Sequence, residues 1–367
     1  MSHTAPAFLA REDLNRLLQL LQGQGYRLCG PQVRDGTIVY DHLADTAALP
    51  RGWRDTQQPG HYRLQQHDSP RYFDWANGPQ AIKPLTFPAR EVLWEARRRE
   101  SGELEFIVPD QALEKVAVIG VKACDLAALA LQDQHFLQAE YQDPGYLARR
   151  KGLFLVGVNC SRAAATCFCV STGDGPAIEQ GYDLLLDELE EGFLIRSGSD
   201  SGAVLLAELP LEAALPGQID AAEQQVQQVA RSQQRRLMPV SPGSLMQQRQ
   251  HPQWDDVADR CLACGNCTQV CPTCFCHHQQ DLLQLSGEAS EHQREWDSCF
   301  SESHGQLAGF QVRSTVKQRY QQWMTHKLDS WQEQYGRSGC TGCGRCMSWC
   351  PAAIDFVEEA NKITGDG

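Results

Sequence analysis

Two apolar runs in the first half of the chain have the length of buried β-strands: VAVIGV at 116–121 and GLFLVGV at 152–158. An Ala/Leu-rich run of helical character follows the first of them, within 115–136. Two segments within 182–198, YDLLLDEL and GFLIRSG, also predict strands. The strand, helix, strand order indicates a parallel α/β layer, whose functional groups collect at the carboxyl ends of the strands.

Apolar residues recur at helical spacing in other segments. We predict helices over 8–22, 90–100, 221–237 and 315–336. The helix over 90–100 would lie on the surface, with the basic run Arg97–Arg99 on its solvated face. The Gly/Pro-punctuated stretch between the first two of these helices shows no clean period.

A linker is indicated at MPVSPGSLMQQRQHPQ, 238–253, which carries three prolines and a glycine. Beyond it the density of cysteines rises. We therefore divide the chain into an α/β (α+β) domain, 1–245, and a cysteine-rich domain, 246–367, which contains a helical insert.

The sixteen cysteines in 367 residues bunch at 160–169, 261–276 and 340–350 instead of spreading to staple loops. This pattern favours metal binding in a reducing compartment. Charges at 11–13 precede any apolar run that could act as a signal peptide, and no apolar run is long enough to span a bilayer. A net charge of −13 argues against binding to nucleic acid or anionic lipid. We expect a cytoplasmic protein with no membrane or nucleic-acid partner.

The spacing CxxCxxCxxxCP occurs twice, and it is typical of [4Fe–4S] cluster loops. Three close thiolates can bind three irons of one cubane, and in two-cluster ferredoxins the fourth cysteine binds the other cluster. We therefore predict a two-cluster ferredoxin-like domain. Cluster one is assigned to Cys261, Cys264, Cys267 and Cys350, and cluster two to Cys340, Cys343, Cys346 and Cys271.

Tetrahedral zinc is the main alternative, since it also uses cysteine ligands. Zinc sites typically take two CxxC or Cys/His pairs separated by a longer spacer. Two complete cluster motifs, each followed by proline, favour iron–sulfur clusters over zinc and over catalytic thiols.

Four cysteines of the first domain follow predicted strands and could meet at one sheet edge: Cys124, Cys160, Cys167 and Cys169. They could hold a third [4Fe–4S] cluster. Alternatively they are small buried hydrophobes, and Asp125 caps the helix that follows. The sequence leaves both interpretations open.

A further set surrounds the first cluster loop: Cys274, Cys276 and Cys299. These thiols could bind metal with an outside ligand or pack around the cluster. His277 and His278 directly follow the cysteine run and could coordinate metal or be exposed loop histidines. No GxGxxG follows a strand, no GxxxxGK[ST] occurs, and no paired CxxC motifs remain for a nickel–iron centre. We therefore expect no catalytic centre in this chain.

The combination of GVKACDLAALALQDQHFL, NCSRAAATCFCVSTGDGP, CLACGNCTQVCPTCFC, WDSCF and CTGCGRCMSWCP resembles the iron–sulfur beta subunit of soluble NADP-linked nickel–iron hydrogenases, the sulfhydrogenases. That family also includes the electron-input subunit of anaerobic sulfite reductase. The resemblance spans roughly residues 80 to 355, and the stretch 319–340 looks like the hydrogenase branch. The segment GFQVRS, 309–314, departs from the pattern.

The resemblance implies a non-catalytic electron-transfer subunit of an NAD(P)-linked hydrogenase. Its partners would be a flavin/NAD(P)H-binding subunit, the hydrogenase small subunit, and the large subunit that holds the nickel–iron centre. An electron-input subunit of a sulfite reductase is the second hypothesis. A structural or regulatory cluster protein is the third, and it predicts clusters that resist reduction.

Overall fold

The computed structural model describes residues 6–80, 82–109, 113–138 and 140–365. Its strands are β1 (Ala7–Ala10), β2 (Arg27–Arg34), β3 (Thr37–His42), β4 (Trp53–Gln58), β5 (His61–Gln66), β6 (Arg90–Arg98), β7 (Leu104–Ile107), β8 (Val116–Val121), β9 (Leu153–Val158), β10 (Leu184–Glu188), β11 (Gly192–Ser197), β12 (Glu212–Ala213), β13 (His277–Leu283), β14 (Ala289–Trp296), β15 (Gln306–Leu307) and β16 (Phe310–Gln311). Its α-helices are α1 (Leu14–Gly23), α2 (Lys83–Thr86), α3 (Ala123–Leu137), α4 (Pro144–Lys151), α5 (Cys169–Thr172), α6 (Asp200–Leu206), α7 (Pro216–Ser232), α8 (Ser244–Gln247), α9 (Gln253–Arg260), α10 (Asn266–Gln269), α11 (Val316–Thr325), α12 (Trp331–Tyr335), α13 (Arg345–Ser348) and α14 (Phe356–Gly365).

The main sheet has eight strands in the order β12-β1-β11-β10-β9-β8-β2-β3. Its centre is parallel, because β8 pairs in parallel with β2 and β9, and β9 with β10. Every residue of β8 is buried, as expected of a central strand covered on both faces. The predicted parallel α/β layer is confirmed, with α3 connecting β8 towards β9.

A second sheet has the order β13-β14-β6-β7 and corrects one prediction. The segment predicted as a surface helix over 90–100 is strand β6, which pairs with β14 and β7. Cross-strand pairing with a distant segment outweighs local helical spacing here. The basic run lies at the end of a strand, where Arg97 pairs with Glu95 and Arg99 with Glu105.

The other helix predictions are confirmed with shifted ends. The first helix begins at Leu14, because Ala7–Ala10 join the main sheet as β1. The segment 221–237 lies mostly in α7, and 315–336 forms α11, a π-helical turn (His326–Ser330) and α12. The stretch without a clean period contains β2 to β5.

Two main cores are present. The larger one fills the α/β part, where leucines of α1 and α3 pack on the main sheet. The second gathers aromatic and apolar side chains from α9, α11 and α14 around the cysteine loops, including Trp254, Trp323 and Phe356. The mixed α/β architecture is confirmed, whereas the division at 245/246 stays a prediction. No described helix is long and apolar enough to cross a membrane.

Candidate iron–sulfur cluster sites

The two cysteine motifs fold into loops with the same backbone conformation. Ala263 and Gly265 of the first loop have φ of +50° and +72°, and Gly342 and Gly344 of the second have +64° and +76°. The backbone N–H of Ala263 donates to Cys261 Sγ, and that of Gly342 donates to Cys340 Sγ. The N–S distance is 3.4 Å in both loops. Such left-handed turns wrap a short loop around a common centre and aim backbone N–H groups at sulfur.

The first loop borders a cavity. The thiols on its wall are Cys261, Cys264, Cys267, Cys346 and Cys350. The remaining wall is largely apolar and includes the rings of Phe300, Tyr320 and Trp323. This cavity therefore holds the complete set of cysteines predicted for cluster one.

The second loop borders a separate cavity. The thiols on its wall are Cys271, Cys340, Cys343 and Cys346, the set predicted for cluster two. Phe168, Trp323 and Lys327 complete much of the wall. Each cavity thus contains three cysteines of one motif and the fourth cysteine of the other, as the exchanged ligand pattern requires, and Cys346 borders both cavities.

The chemistry of the walls fits a sulfur-rich cluster. Among the described residues, the buried hydroxyl of Tyr320, the buried indole N–H of Trp323 and the buried hydroxyl of Thr341 have no hydrogen-bond partner. All three side chains line one or both cavities. Buried donors without acceptors are costly, and cluster sulfides or cysteine sulfurs would accept from them.

A single metal ion fits the described residues less well. No three His, Cys, Asp or Glu side chains of the described ranges stand close enough to hold one ion. In a cubane each thiolate binds a different iron, so four separated thiols are the expected arrangement. The geometry favours clusters over the zinc alternative.

Two buried lysine side chains lie near the thiols of the second cavity. The ammonium of Lys327 lies 2.6 Å from Thr273 Oγ1 and 3.3 Å from Cys274 Sγ, and Thr273 Oγ1 contacts Cys271 Sγ at 3.3 Å. Burial alone would lower the pKa of Lys327. The nearby sulfurs of Cys271 and Cys274 stabilise the ammonium more than burial destabilises it, so the pKa of Lys327 is raised. Burial lowers the pKa of the neighbouring Lys83 to about 8. Neither lysine has a carboxylate partner among the described residues.

The four cysteines considered for a third cluster lie together at the carboxyl edge of the main sheet. Cys124 is in the first turn of α3 after β8, and Cys160, Cys167 and Cys169 lie on the segment after β9. Electrostatic coupling links Cys169 to Cys160 and Cys167, and Cys124 to Cys169 and Cys343. Burial raises the pKa of all four thiols.

Asp125 does not cap α3, which corrects the alternative given for it. It forms a fully buried bidentate ion pair with Arg345, with N–O distances of 2.6 and 2.9 Å. Arg345 follows Gly344 in the second cluster loop. The sheet edge with the four cysteines is therefore attached directly to the loop of cluster two.

The remaining cysteines lie at the base of the β13–β14 hairpin. Cys274 lies near Cys271, and Cys276 near Cys299 and His304, because each neighbour shifts the pKa of the other. The thiol of Cys299 is the largest cause that lowers the pKa of Cys276 to about 4. His277 and His278 begin β13, and no described site for a metal ion includes them.

Sequence reasoning missed the polar residues around the thiols. Lys327 and His304 become neighbours of cysteines only through tertiary contacts. Arg345 lies inside the second motif, but its ion pair with Asp125 is a tertiary contact. One local signal existed for Arg345, because the first loop has a neutral residue, Asn266, at the corresponding position. Nothing in the sequence around Lys327 or His304 points to a cysteine.

Comparisons with known proteins agree with this geometry. Residues 260–354 match the family model of a 4Fe-4S dicluster domain. The chain is 31% identical over 260 residues to sulfhydrogenase 2 subunit beta of Pyrococcus furiosus, which covers 68% of this chain and 74% of that protein. No solved structure matches the chain. By this likeness, and with an iron–sulfur dicluster domain in place, the chain belongs to the family of sulfhydrogenase beta subunits.

Proposed function

We propose that this chain is the electron-transfer subunit of a cytoplasmic, multi-subunit nickel–iron hydrogenase. It passes electrons between a flavin/NAD(P)H-binding partner and the hydrogenase small subunit, while the large subunit handles H₂. The chain itself forms no bond to a substrate. The observation that carries this proposal is the convergence of eight motif cysteines on two cavities with the fourth cysteines exchanged.

A [4Fe–4S] cluster supplies one-electron chemistry at a potential set by its surroundings, within about −700 to +450 mV. The residues of this chain would bind the cluster, exclude water from it and determine how closely another subunit can approach it. Cys264 on the first cavity is exposed, whereas Cys343 on the second is buried. Cluster one is therefore the better placed of the two to exchange electrons with another subunit.

The function is tested by anaerobic reconstitution of the full chain, followed by redox titration monitored by visible absorption and EPR. We expect about eight irons from the two motifs and reversible reduction by dithionite and by the reduced flavin subunit. Clusters that neither reagent reduces would indicate a structural or regulatory protein. Purification from the native host should recover nickel–iron subunits, and a sirohaem subunit in their place would indicate a sulfite reductase.

We also propose that Cys124, Cys160, Cys167 and Cys169 hold a third cluster. Their proximity at the sheet edge and the contact with the second cluster loop support this assignment, since Phe168 N–H donates to Gly342 O at 2.8 Å. A cluster there would extend the electron path into the α/β part.

Iron counting tests the third cluster separately. The wild-type chain should bind about twelve irons, and the double variant Cys167→Ser/Cys169→Ser about eight. Cys29→Ser, a buried thiol of the main core, serves as the control and should keep twelve. A wild-type count near eight, unchanged in the double variant, would remove these residues from the ligands.

A further inference from the structure

Cys276 and Cys299 are brought together by the β13–β14 hairpin. The ladder begins with His277 opposite Trp296, and the N–H of Asp297 donates to the carbonyl of Cys276 at 2.9 Å. Cys299 follows two residues later, and each of the two thiols is the largest influence on the pKa of the other, which indicates that they are close neighbours. Two thiols in contact can reach the S–S bond length of about 2.05 Å by side-chain rotation.

A histidine and a carboxylate stand next to this pair. The neighbouring sulfur of Cys276 raises the pKa of His304, whose Nδ1 lies 3.1 Å from Asp297 Oδ2. The carboxylate orients the imidazole, which can exchange a proton with the sulfur of Cys276. Cys276 is partly exposed and Cys299 is buried, so one thiol is open to attack from solution and the other stands behind it.

The pair belongs to neither proposed set of cluster ligands. Neither Cys276 nor Cys299 lines the two cluster cavities described above. The described residues around them form no group of three that could hold a metal ion. A two-thiol site beside the clusters is the arrangement that the structure offers.

We infer that Cys276 and Cys299 form a redox-active dithiol that cycles with a disulfide beside the electron-transfer chain. Oxidation uses a low-molecular-weight disulfide. The Cys276 thiolate attacks one of its sulfurs and releases one thiol, then Cys299 displaces the second thiol and the Cys276–Cys299 bond forms. The two protons lost by the cysteines end on the two released thiols.

The return step rests on the proposed electron-transfer function. The disulfide takes up two electrons and two protons, and the S–S bond breaks to give two thiols. Clusters bound by the motif cysteines would supply the electrons one at a time, and His304 would deliver the proton to Cys276. Two successive one-electron transfers would thus be stored together as one dithiol, which holds two electrons and two protons.

Oxidised glutathione serves as the probe for the first step. The reconstituted full chain is incubated with it anaerobically, the iron is then removed under denaturing alkylation, and peptides are identified by mass spectrometry. We expect a Cys276–Cys299 linked peptide in the wild type. Cys276→Ser and Cys299→Ser should lack it and retain the wild-type iron content, and Cys29→Ser should form it normally.

Reductive titration tests the second step. After treatment with glutathione disulfide, the wild-type chain should accept two electrons per chain more than Cys299→Ser, with the same cluster EPR signals. Full alkylation of both cysteines after treatment would overturn the inference, and so would loss of about four irons in either serine variant, which would make them cluster ligands. Clusters that dithionite cannot reduce would instead contradict the proposed function, whatever the state of the thiols.

Discussion

At the scale of single residues, Lys327 is the least expected feature. A buried ammonium without a carboxylate is unfavourable unless another negative charge compensates it. The side chain is 4% exposed and contacts Cys274 Sγ and Thr273, which in turn contacts the proposed ligand Cys271. A cluster bound by four thiolates carries the missing negative charge.

We predict that Lys327→Met lowers the midpoint potential of cluster two. Without the ammonium, each added electron meets uncompensated negative charge, so the shift should be on the order of 100 mV at an effective dielectric constant near 20. Redox titration by EPR measures this shift. Lys327→Arg keeps the charge and should stay near the wild type.

Lys362→Met is the matched control, since Lys362 is half-exposed and pairs with Glu358 on the surface. Its potentials should equal those of the wild type. An unchanged potential in Lys327→Met with full iron content would contradict the role of Lys327 as the counter-charge of the cluster.

The sequence predicts the thiols of the candidate clusters better than their surroundings. Cysteine spacing within a loop is a local property, so Cys261 and Cys340 could be assigned from the motifs alone. The contacts of Lys327 and His304 depend on how the π-helical turn and the hairpin pack, which no local pattern encodes.

At the scale of elements, the segment 166–169 packs directly on the second cluster loop. A Cβ at Gly344 would lie 2.3 Å from the carbonyl oxygen of Thr166, and one at Gly342 would lie 2.5 Å from the backbone of Cys169. Only glycine permits this approach, because a methyl group would occupy the space of the facing backbone.

We predict that Gly344→Ala destabilises the chain and impairs retention of cluster two. The left-handed conformation costs an alanine about 1–2 kcal/mol, and the clash adds roughly 1–3 kcal/mol. Urea unfolding and iron content after gel filtration measure the two effects.

Gly287→Ala separates the clash from the backbone conformation. Gly287 has φ of +74°, close to the +76° of Gly344, but apart from its chain neighbours no atom of the described residues lies within 4 Å of its added Cβ. It should show only the conformational cost and keep its iron. Equal losses in the two variants would show that close packing at Gly344 is unimportant.

The elements of the parallel layer could be predicted because buried central strands are continuous apolar runs such as 116–121. The strand at 90–98 could not, since its partner β14 lies in another part of the chain and its composition alone resembles a surface helix.

At the scale of the whole molecule, the two parts of the chain share a polar, buried interface. Asn77 Nδ2 donates to the carbonyl of Cys343 at 2.8 Å, and Gln132 Nε2 to that of Pro272 at 3.0 Å. The Asp125–Arg345 pair crosses the same interface with both side chains 1% exposed. Removing one partner of such a pair typically costs about 3–5 kcal/mol.

We therefore predict that the fragment 246–367 does not fold as an independent domain. Arg345 and the carbonyls of the cluster loops would lose their buried partners, and β14 would lose β6. Reconstitution of the fragment should give fewer than the roughly eight irons of two clusters, or aggregated protein, while the full chain treated alongside retains them. A soluble fragment with two intact clusters and cooperative unfolding would support the boundary at 245/246.

The pairing of β6 with β14 also has a consequence for biosynthesis. About 200 residues separate the two strands. At roughly 5–20 residues per second of translation, β6 waits about 10 to 40 s for its neighbour to leave the ribosome. During this time the edge of β6 that later pairs with β14 is unpaired and can aggregate with other chains. The first cluster loop likewise obtains its fourth predicted ligand only after Cys350 has been synthesised.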